Sequence, residues 1–395
     1  MQEKPGLRKL AAGVAVALVG ALALTAAAVA KVSGPASPTA SGAELATAQA
    51  NCRSAEIGIA APLTGPAAFL GQEQLSWAQF AVRQFNQSRR TNFRIVQGDT
   101  QLSASLARTV ARQFVGRRNV MGVIGPSTSQ AVISGAGLFE AASLAAVSPS
   151  ATRVDLTNGQ FRTFFRVVPN DTGQARSIVA YSVDELKATR AVVVDSQDDY
   201  STALATGLQA GFRARNVQLD RQSVSATTTD VSTIATTVSN DAQVVVFATQ
   251  TPSAAQALSD QLLSQGKKAV VFGTDGSFST TEYKPRNGYA SAFAPDIKSN
   301  RAARSLVTSY NTFSRSRAFG TFGPPSYMSA TVLMTAINAA CRDGKATRAE
   351  VTRFVRLTRL ASILGGTIRF NARGDLTNQD WYVFKITNGA YASVG

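Results

Sequence analysis

The 395-residue sequence contains no histidine and only two cysteines, Cys52 and Cys341. The absence of histidine excludes Ser-His-Asp and Cys-His triads, a histidine general base and imidazole metal ligands. Two cysteines are too few for a four-thiolate zinc site. Carboxylate-only or lysine-based catalysis stays formally open, but the common hydrolytic chemistries are excluded. We therefore expect no catalytic centre, no metal and no cofactor, and the protein is not predicted to be an enzyme.

Charged residues are also scarce, at 16%, although the formal net charge is +16. The basic residues occur singly or in short clusters such as Arg89-Arg90, with no basic stripe interleaved with aromatic residues. We therefore expect no nucleic-acid binding, because a diffuse basic surface is more typical of solubility or of weak attraction to anionic envelopes. With 45% hydrophobic residues, the chain is long enough for two domains with full cores.

The N-terminus has the features of an export segment. Basic residues precede 21 uncharged, mostly apolar residues at positions 10–30, which end in Ala-Val-Ala and resemble a secretory signal. The apolar run is also just long enough to span a bilayer, so residues 1–30 are either a signal peptide or an N-terminal membrane anchor. Both alternatives export the rest of the chain to the periplasm or the cell surface. Residues 31–51 form a linker rich in small residues.

Export would place the two cysteines in an oxidising compartment, where they could form a disulfide. Cys52 lies just before the first predicted strand, and Cys341 ends a predicted helix that could pack beside it. Two unrelated buried thiols are the alternative.

From residue 55 onward, strand-like and helical patterns alternate. The first series has strand-like runs at 55–61, 93–97, 120–124 and 144–148, and helical patterns at 71–88, 103–118 and 129–143. The second has strand-like runs at 163–168, 190–195, 243–248 and 269–273, and helical patterns at 173–187, 200–215, 230–240 and 253–265. After the segment 289–294 come helical patterns at 300–314, 325–341 and 347–356 and a hairpin-like pair at 366–370 and 381–387. This rhythm predicts an α/β protein with two doubly wound parallel-sheet lobes around a ligand cleft.

Small polar residues follow several of the predicted strands. Ligands of open parallel sheets bind outside the carboxyl ends of the strands, which places Ser129, Ser150 and Thr152 at the cleft. Ser129 is either a helix N-cap or part of an anion pocket at that helix N-terminus. Thr152 is either a turn residue or a second donor to the same anion, with the Ser150 carbonyl accepting from a cation.

Two residues of the second series are candidates for the opposite side of the cleft. Asp275, in the segment Phe-Gly-Thr-Asp-Gly, is either an ordinary Asp-Gly turn or a carboxylate that faces an ammonium group. Tyr200 opens a predicted helix and is either a core residue or a site residue. An anion pocket on one lobe and a carboxylate on the other would bind a zwitterion.

The ordered set of motifs resembles the solute-binding proteins of ABC transporters, in the branched-chain amino-acid binding group of type I periplasmic binding proteins. The resemblance runs from about residue 55 to the C-terminus. It is carried by the stretches 57–71, 120–131, 148–157, 164–174, 192–204, 272–276 and 368–377.

The resemblance implies specific ligand contacts. In that family the ligand's α-carboxylate is held where Ser129 and Thr152 fall, and its ammonium where the Ser150 carbonyl, Thr152 and Asp275 fall. Leu70 and Gln250 stand where branched-chain binders often carry tyrosines, so leucine is not the expected ligand and Gln250 indicates a partly polar ligand side chain. The full predicted ligand-binding set is Phe69, Leu70, Ser129, Ser150, Ala151, Thr152, Tyr200, Gln250 and Asp275.

The resemblance also implies three crossings between the lobes. Residues 52–166 and 296–365 would form the first lobe, which would contain both cysteines, and residues 167–295 and 366–395 the second. The implied function is capture of a small amino-acid-like ligand and its delivery to an ABC permease. The alternative is an extracytoplasmic sensor of the same fold for an amide or other polar metabolite, not coupled to transport.

Overall fold

The computed structural model describes residues 49–52, 55–226, 228, 230–315 and 319–394. The predicted signal peptide or anchor, residues 1–30, lies outside these ranges, as does most of the linker. None of the helices in the described part of the chain combines the length and the apolar character that a membrane crossing requires.

Strands and helices alternate along the chain largely in the predicted order, with an unpredicted strand at Gln218–Ser223. The strands are β1 (Gln49–Asn51), β2 (Glu56–Ala61), β3 (Arg94–Asp99), β4 (Val120–Ile124), β5 (Ala146–Ser148), β6 (Phe164–Arg166), β7 (Arg190–Asp195), β8 (Gln218–Ser223), β9 (Val244–Ala248), β10 (Val270–Gly273), β11 (Asn287–Ala292), β12 (Lys345–Thr347), β13 (Leu360–Ala361), β14 (Thr367–Ile368), β15 (Tyr382–Thr387) and β16 (Ala390–Ser393). The α-helices are α1 (Ala68–Arg89), α2 (Ala104–Gly116), α3 (Ser129–Ala141), α4 (Asp171–Asp184), α5 (Asp199–Ala214), α6 (Ser232–Thr237), α7 (Pro252–Ser264), α8 (Arg304–Ser314), α9 (Gly323–Ala340) and α10 (Arg348–Arg356).

The first lobe is built on a five-stranded parallel sheet with the strand order β3-β2-β4-β5-β6. Successive side chains of β2 point to opposite faces of the sheet. Ile57 and Ile59 lie in one apolar cluster with residues of α1, α9 and α10. Ala60 lies in a second cluster with residues of α2 and α3. Both faces of the sheet are therefore covered by helices, as expected for a parallel sheet.

The second lobe is built on a seven-stranded sheet with the order β16-β15-β11-β10-β9-β7-β8. The five strands from β8 to β11 in this order are parallel, and β15 and β16 extend the sheet with antiparallel pairing. Val192 and Val194 face a cluster with α6 and α7, and Val193 faces one with α4 and α5. The two-lobed α/β prediction is confirmed, with an antiparallel edge on the second sheet.

The predicted hairpin between 366–370 and 381–387 is wrong. Strand β14 pairs with β13 across Gly365 and Gly366, whose φ angles of 104° and 63° favour glycine. Strand β15 instead pairs with β16 through the two-residue turn Asn388-Gly389, which also has positive φ angles. An Asn-Gly pair between two strand-forming runs is a strong hairpin signal, and it identifies the correct partner.

The predicted disulfide between Cys52 and Cys341 is present, with the two Cα atoms 5.7 Å apart. It joins the chain just after β1 to the end of α9. Strands β1 and β12 pair antiparallel on either side of it, which fixes the N-terminal segment to the first lobe.

The lobe boundaries stay a prediction. The resemblance implies that the chain crosses between the lobes for the third time after residue 365, whereas the packing favours a crossing further along the chain. Ile368 and Leu376 are buried with Ile57 in the first lobe's core, whereas Trp381 is buried in the second lobe's core. We therefore propose that the chain crosses after Leu376, so that residues 366–376 pack with the first lobe.

Candidate functional site

Two hydroxyls hold together the loops that follow β4 and β5. Ser148 Oγ donates a hydrogen bond of 2.7 Å to the Pro126 carbonyl. Ser150 Oγ donates to the Ser127 carbonyl at 2.6 Å and accepts from Gln74 Nε2 at 2.7 Å. These side chains are fully bonded within the protein, so they position the neighbouring residues rather than offer free groups to a ligand.

Ser129 and its neighbour Thr128 have free hydroxyls. Thr128 occupies the N-cap position of α3, so the expectation that Ser129 is the N-cap is wrong by one residue. Ser129 is the first helical residue, and neither hydroxyl caps the helix. Both residues are buried, and both hydroxyl oxygens are without a hydrogen-bond partner in the described part of the chain. A helix N-terminus with two free buried hydroxyls is suited to an anion.

Thr152 lies beside a buried carboxyl group that the sequence analysis did not select. The Thr152 carbonyl accepts a hydrogen bond of 2.9 Å from the backbone N–H of Asp171, the first residue of α4. Among the described residues, no group makes a hydrogen bond of normal geometry to either Asp171 carboxylate oxygen. Burial, and then the charge of Asp275, raise the pKa of Asp171 well above its usual range, although the Thr152 hydroxyl opposes this rise.

Asp275 is the second buried carboxyl group of the cleft. Its Oδ1 accepts hydrogen bonds from the Tyr200 hydroxyl at 2.6 Å and from Gln174 Nε2 at 2.5 Å. Burial nevertheless raises the pKa of Asp275 to about 6. The next residue must be glycine, because a Cβ on Gly276 would lie 2.5 Å from the Thr249 carbonyl oxygen. The predicted site residue Tyr200 is buried, and its hydroxyl contacts the acid directly through this hydrogen bond.

The two lobes contact each other across the cleft. Gln130 Nε2, on α3 of the first lobe, donates a 2.9 Å hydrogen bond to Gln250 Oε1 of the second. The Arg153 guanidinium donates to the Asp199 carbonyl at 3.1 Å. These two hydrogen bonds link the lobes directly, and Ser129, Thr152 and Asp275 are each buried.

The remaining predicted residues have packing contacts. Leu70 is buried in an apolar cluster that includes Phe293 and Phe322, and the Phe69 ring packs edge-on against Phe322 with centroids 5.6 Å apart. The Ala151 carbonyl accepts from the Arg166 guanidinium at 3.2 Å. Their predicted roles in ligand binding stay predictions.

A surface groove of about 430 Å³ has Asp171 in its wall. It runs between α4 and α5, and its lining includes Asp171, Ala175, Leu204 and Gly207.

Sequence reasoning missed three buried polar residues of the cleft: Gln130, Asp171 and Gln174. Gln130 follows the polar ending of β4, and the other two lie in the segment 164–174 that carried part of the resemblance. Their position near strand ends was a usable signal.

Comparison with known proteins agrees with this architecture. Residues 54–390 match the family described as Periplasmic binding protein, and the chain belongs to this family. The fold is the two-lobed type I periplasmic binding protein fold seen in branched-chain amino-acid substrate-binding proteins of ABC transporters.

Individual relatives indicate a range of ligands. The Leu/Ile/Val-binding protein homolog 3 of Brucella melitensis is 25% identical over 343 residues, covering 84% of this chain and 91% of the relative. The crystal structure of a branched-chain amino acid transporter substrate binding protein from Streptococcus pneumoniae, in complex with isoleucine, shares 21% identity with a TM-score of 0.76, covering 86% of this chain and 98% of that one. A solute binding protein from R. palustris in complex with benzoate shares 14% identity with a TM-score of 0.75, covering 87% and 96%. At these identities the structures show the fold alone.

Proposed function

We propose that this protein is an exported solute-binding protein that captures a small amino-acid-like ligand between its lobes and delivers it to an ABC permease. Its family consists of substrate-binding proteins, and no catalytic step is needed for this role. Export is supported by the family, which is one of periplasmic binding proteins.

The observation that carries the proposal is the opposite polarity of the two sides of one buried cleft. Free hydroxyls of Thr128 and Ser129 lie at a helix N-terminus on the first lobe. Buried carboxyl groups of Asp171 and Asp275 lie on the second. A zwitterion bound between them would place its carboxylate at the hydroxyls and its ammonium at the acids, which offsets the desolvation of both.

The ligand side chain is proposed to be at least partly polar. Gln130 and Gln250 meet where the lobes touch, and their amides can rearrange to bond a polar group. Relatives are named for leucine, isoleucine and valine, and a protein of the same fold binds benzoate, so the fold does not fix the ligand.

Calorimetry of the purified exported protein against the twenty standard amino acids tests the proposal. We expect at least one to bind with a favourable affinity and to raise the unfolding temperature, since a ligand that binds only the native state stabilises it. No binding by any amino acid, with binding by a carboxylate that lacks an amine, would contradict it.

The alternative is a sensor of the same fold without a permease, for which the amide pair Gln130–Gln250 would favour an amide ligand. Uptake of the radiolabelled ligand in cells with and without the protein separates the two roles. If the protein delivers its ligand to a permease, its loss should abolish uptake. If it is a sensor, its loss should leave uptake unchanged when the cell's permease is expressed constitutively.

A further inference from the structure

We propose that the first lobe binds a phosphate group at a second site, in a cavity that is lined by three arginines and is separate from the ligand cleft. The cavity contains Arg162, Arg356 and Arg373 and is called the arginine pocket below. Its occupant is either a free phosphate-bearing solute or the headgroup of an anionic phospholipid, since both present the same oxyanion. The inference does not depend on which ligand the cleft binds.

The arginine pocket has a volume of about 420 Å³. No residue of its lining is acidic, and the lining consists of Gly159, Phe161, Arg162, Arg356, Ala372 and Arg373. Arg162 and Arg373 are exposed, whereas Arg356 is partly buried. An anion can therefore reach the pocket from solvent, and the pocket has room for part of the group to which a phosphate is attached.

The three arginines come from three separate segments of the first lobe. Arg162 precedes β6, and Arg356 is the last residue of α10. Arg373 lies in the turn between Phe370 and Leu376, which form an antiparallel bridge. Because the cleft lies outside the carboxyl ends of the parallel strands, Arg162 and the cleft are at opposite ends of β6. The pocket is therefore a site of its own.

Hydrogen bonds fix the guanidinium group of Arg356 in the pocket. It donates through Nη1 to the Ala372 carbonyl at 2.9 Å and through Nη2 to the Arg162 carbonyl. Its Cζ also lies 5.1 Å from the centroid of the Phe165 ring, in a cation–π contact. Because a guanidinium group has five N–H donors, these contacts leave donors for a ligand. They also hold the segments that carry the other two arginines beside α10.

The positive charge of the arginine pocket has no partner within the described part of the chain. None of its three arginines forms an ion pair with a described carboxylate. Asp375, close by in the sequence, bonds Arg166 at 2.6 Å instead. Asp155, in the short 3-10 turn before β6, bonds Arg153 at 2.7 Å. Three like charges around one cavity repel one another, so an anion bound between them would relieve that repulsion.

The residue type indicates which anion fits. Arginine binds phosphate through two parallel N–H···O bonds, which a lysine ammonium cannot make. Three guanidinium groups can bond more oxygen atoms than a carboxylate has, which favours a phosphate group. The formal net charge of +16 would also attract a surface that carries many phosphates, such as an anionic membrane. The arginine pocket therefore fits a phosphate group, either free or on a membrane surface.

The test measures how the purified exported protein binds two phosphate probes. Inorganic phosphate is titrated by calorimetry in a chloride buffer of low ionic strength, because salt screens such contacts. Vesicles of phosphatidylglycerol mixed with phosphatidylcholine are compared by co-sedimentation with vesicles of phosphatidylcholine alone. We expect saturable binding of phosphate and a preference for the vesicles that contain phosphatidylglycerol. Binding of inorganic phosphate alone would identify a free solute as the source, and binding of those vesicles alone would identify a lipid headgroup.

Arg162→Gln combined with Arg373→Gln removes two charges from the pocket and leaves Arg356, which bonds the backbone, in place. We expect the affinity for the probe that binds to fall by about tenfold or more, because each guanidinium group makes charge-assisted hydrogen bonds. The control combines Arg176→Gln with Arg213→Gln, at exposed arginines of α4 and α5 in the second lobe, and lowers the net charge equally. It should change the affinity by less than about twofold, since exposed distant charges are screened. Thermal unfolding checks that each variant is folded.

Binding of neither probe by the wild type would overturn the inference. Equal weakening by the two double variants would also overturn it, because it would show a diffuse attraction to the basic surface. Binding that the substitutions at Arg162 and Arg373 leave unchanged would place the anion elsewhere on the protein and reject the arginine pocket. Should the glutamine variant not fold, Arg162→Lys with Arg373→Lys replaces it. That variant keeps the charge and loses the bidentate geometry, so the affinity should still fall, and an unchanged affinity would count against the inference.

Discussion

The two sides of the cleft carry different kinds of buried polar group. On the first lobe, the free groups are neutral: the hydroxyls of Thr128 and Ser129, with the N–H groups that begin α3. On the second lobe the groups are carboxyls: that of Asp275 accepts from Gln174 and Tyr200, and that of Asp171 has no hydrogen-bond partner in the described part of the chain. Burying an unpaired hydroxyl costs about 1–3 kcal/mol, whereas burying an uncompensated ionised carboxylate costs far more.

This difference gives each side its own role. We expect the first lobe to bind the ligand's carboxylate, because the Ser148 and Ser150 hydrogen bonds hold the loops after β4 and β5 in place. We expect the carboxyl groups of the second lobe to bind the ligand's ammonium. The proposed polarity of the cleft would therefore fix the orientation of the ligand.

Among the changes considered, removing the charge of Asp275 should have the largest effect on ligand affinity. Asp275→Asn loses the charge-assisted hydrogen bond to the ligand's ammonium, and we expect amino-acid affinity to fall by about 3 kcal/mol. Calorimetry measures it, with Asp260→Asn, at an exposed aspartate of α7, as the matched control. An affinity within a factor of two of the wild type would show that the acidic side does not bind the ligand.

Removing the hydroxyl of Ser129 or of Thr152, neither of which has a hydrogen-bond partner in the described part of the chain, should have a smaller effect. Ser129→Ala and Thr152→Ala each delete one donor to the ligand's charged groups, and we expect each to weaken binding by about 2 kcal/mol without lowering the unfolding temperature of the ligand-free protein. The same titrations measure the change. Loss of stability with unchanged affinity would assign these hydroxyls to the fold.

Ser150→Ala should show the reverse behaviour. The Ser150 hydroxyl bonds Ser127 and Gln74 within the protein, and its deletion leaves these buried groups unsatisfied. We expect the free energy of unfolding to fall by about 1.5 kcal/mol, with a smaller effect on affinity. Denaturant unfolding beside calorimetry gives both numbers, and a variant with native stability but lost binding would reverse the assignment.

Changing the pH should test the acidic side of the cleft without a mutation, because the hydroxyls on the other side do not titrate in this range. Burial raises the pKa of Asp275 from 3.8 to about 6, so the ligand-free folded protein prefers the protonated acid. Relative to high pH, the stability that Asp275 contributes to the folded protein is fully present below pH 3.8. It is lost as the pH rises through about 6, where the folded acid ionises. Amine binding requires the ionised acid, so affinity should change in the opposite direction and fall about tenfold per pH unit below 6. An affinity independent of pH between 5 and 7 would contradict the amine contact at Asp275.

Much of the fold was predictable because the alternation of strand-like and helical patterns is a local property of the sequence. The valine-rich strands β7 and β9 and the motif after β10 were all found from hydrophobic pattern and strand-end chemistry. Strand β8 was missed because it lies at the edge of its sheet, and its sequence Gln-Leu-Asp-Arg-Gln-Ser is mostly polar and only partly buried.

The site was predictable only in part, because its chemistry depends on burial by the opposite lobe. Asp275 was selected from its place after a strand, and the same rule could have selected Asp171. Nothing local indicates that Asp171 is buried beside another acid, or that the Ser150 hydroxyl is bonded internally while that of Ser129 is free. Those properties follow from how distant segments pack.

The most direct test of the account is a crystal structure of the protein with the amino acid that binds most tightly. We predict the ligand's carboxylate at the N-terminus of α3, within hydrogen-bond distance of Ser129 and Thr152, and its ammonium at Asp275. A ligand in the reverse orientation, or bound outside the cleft, would contradict it.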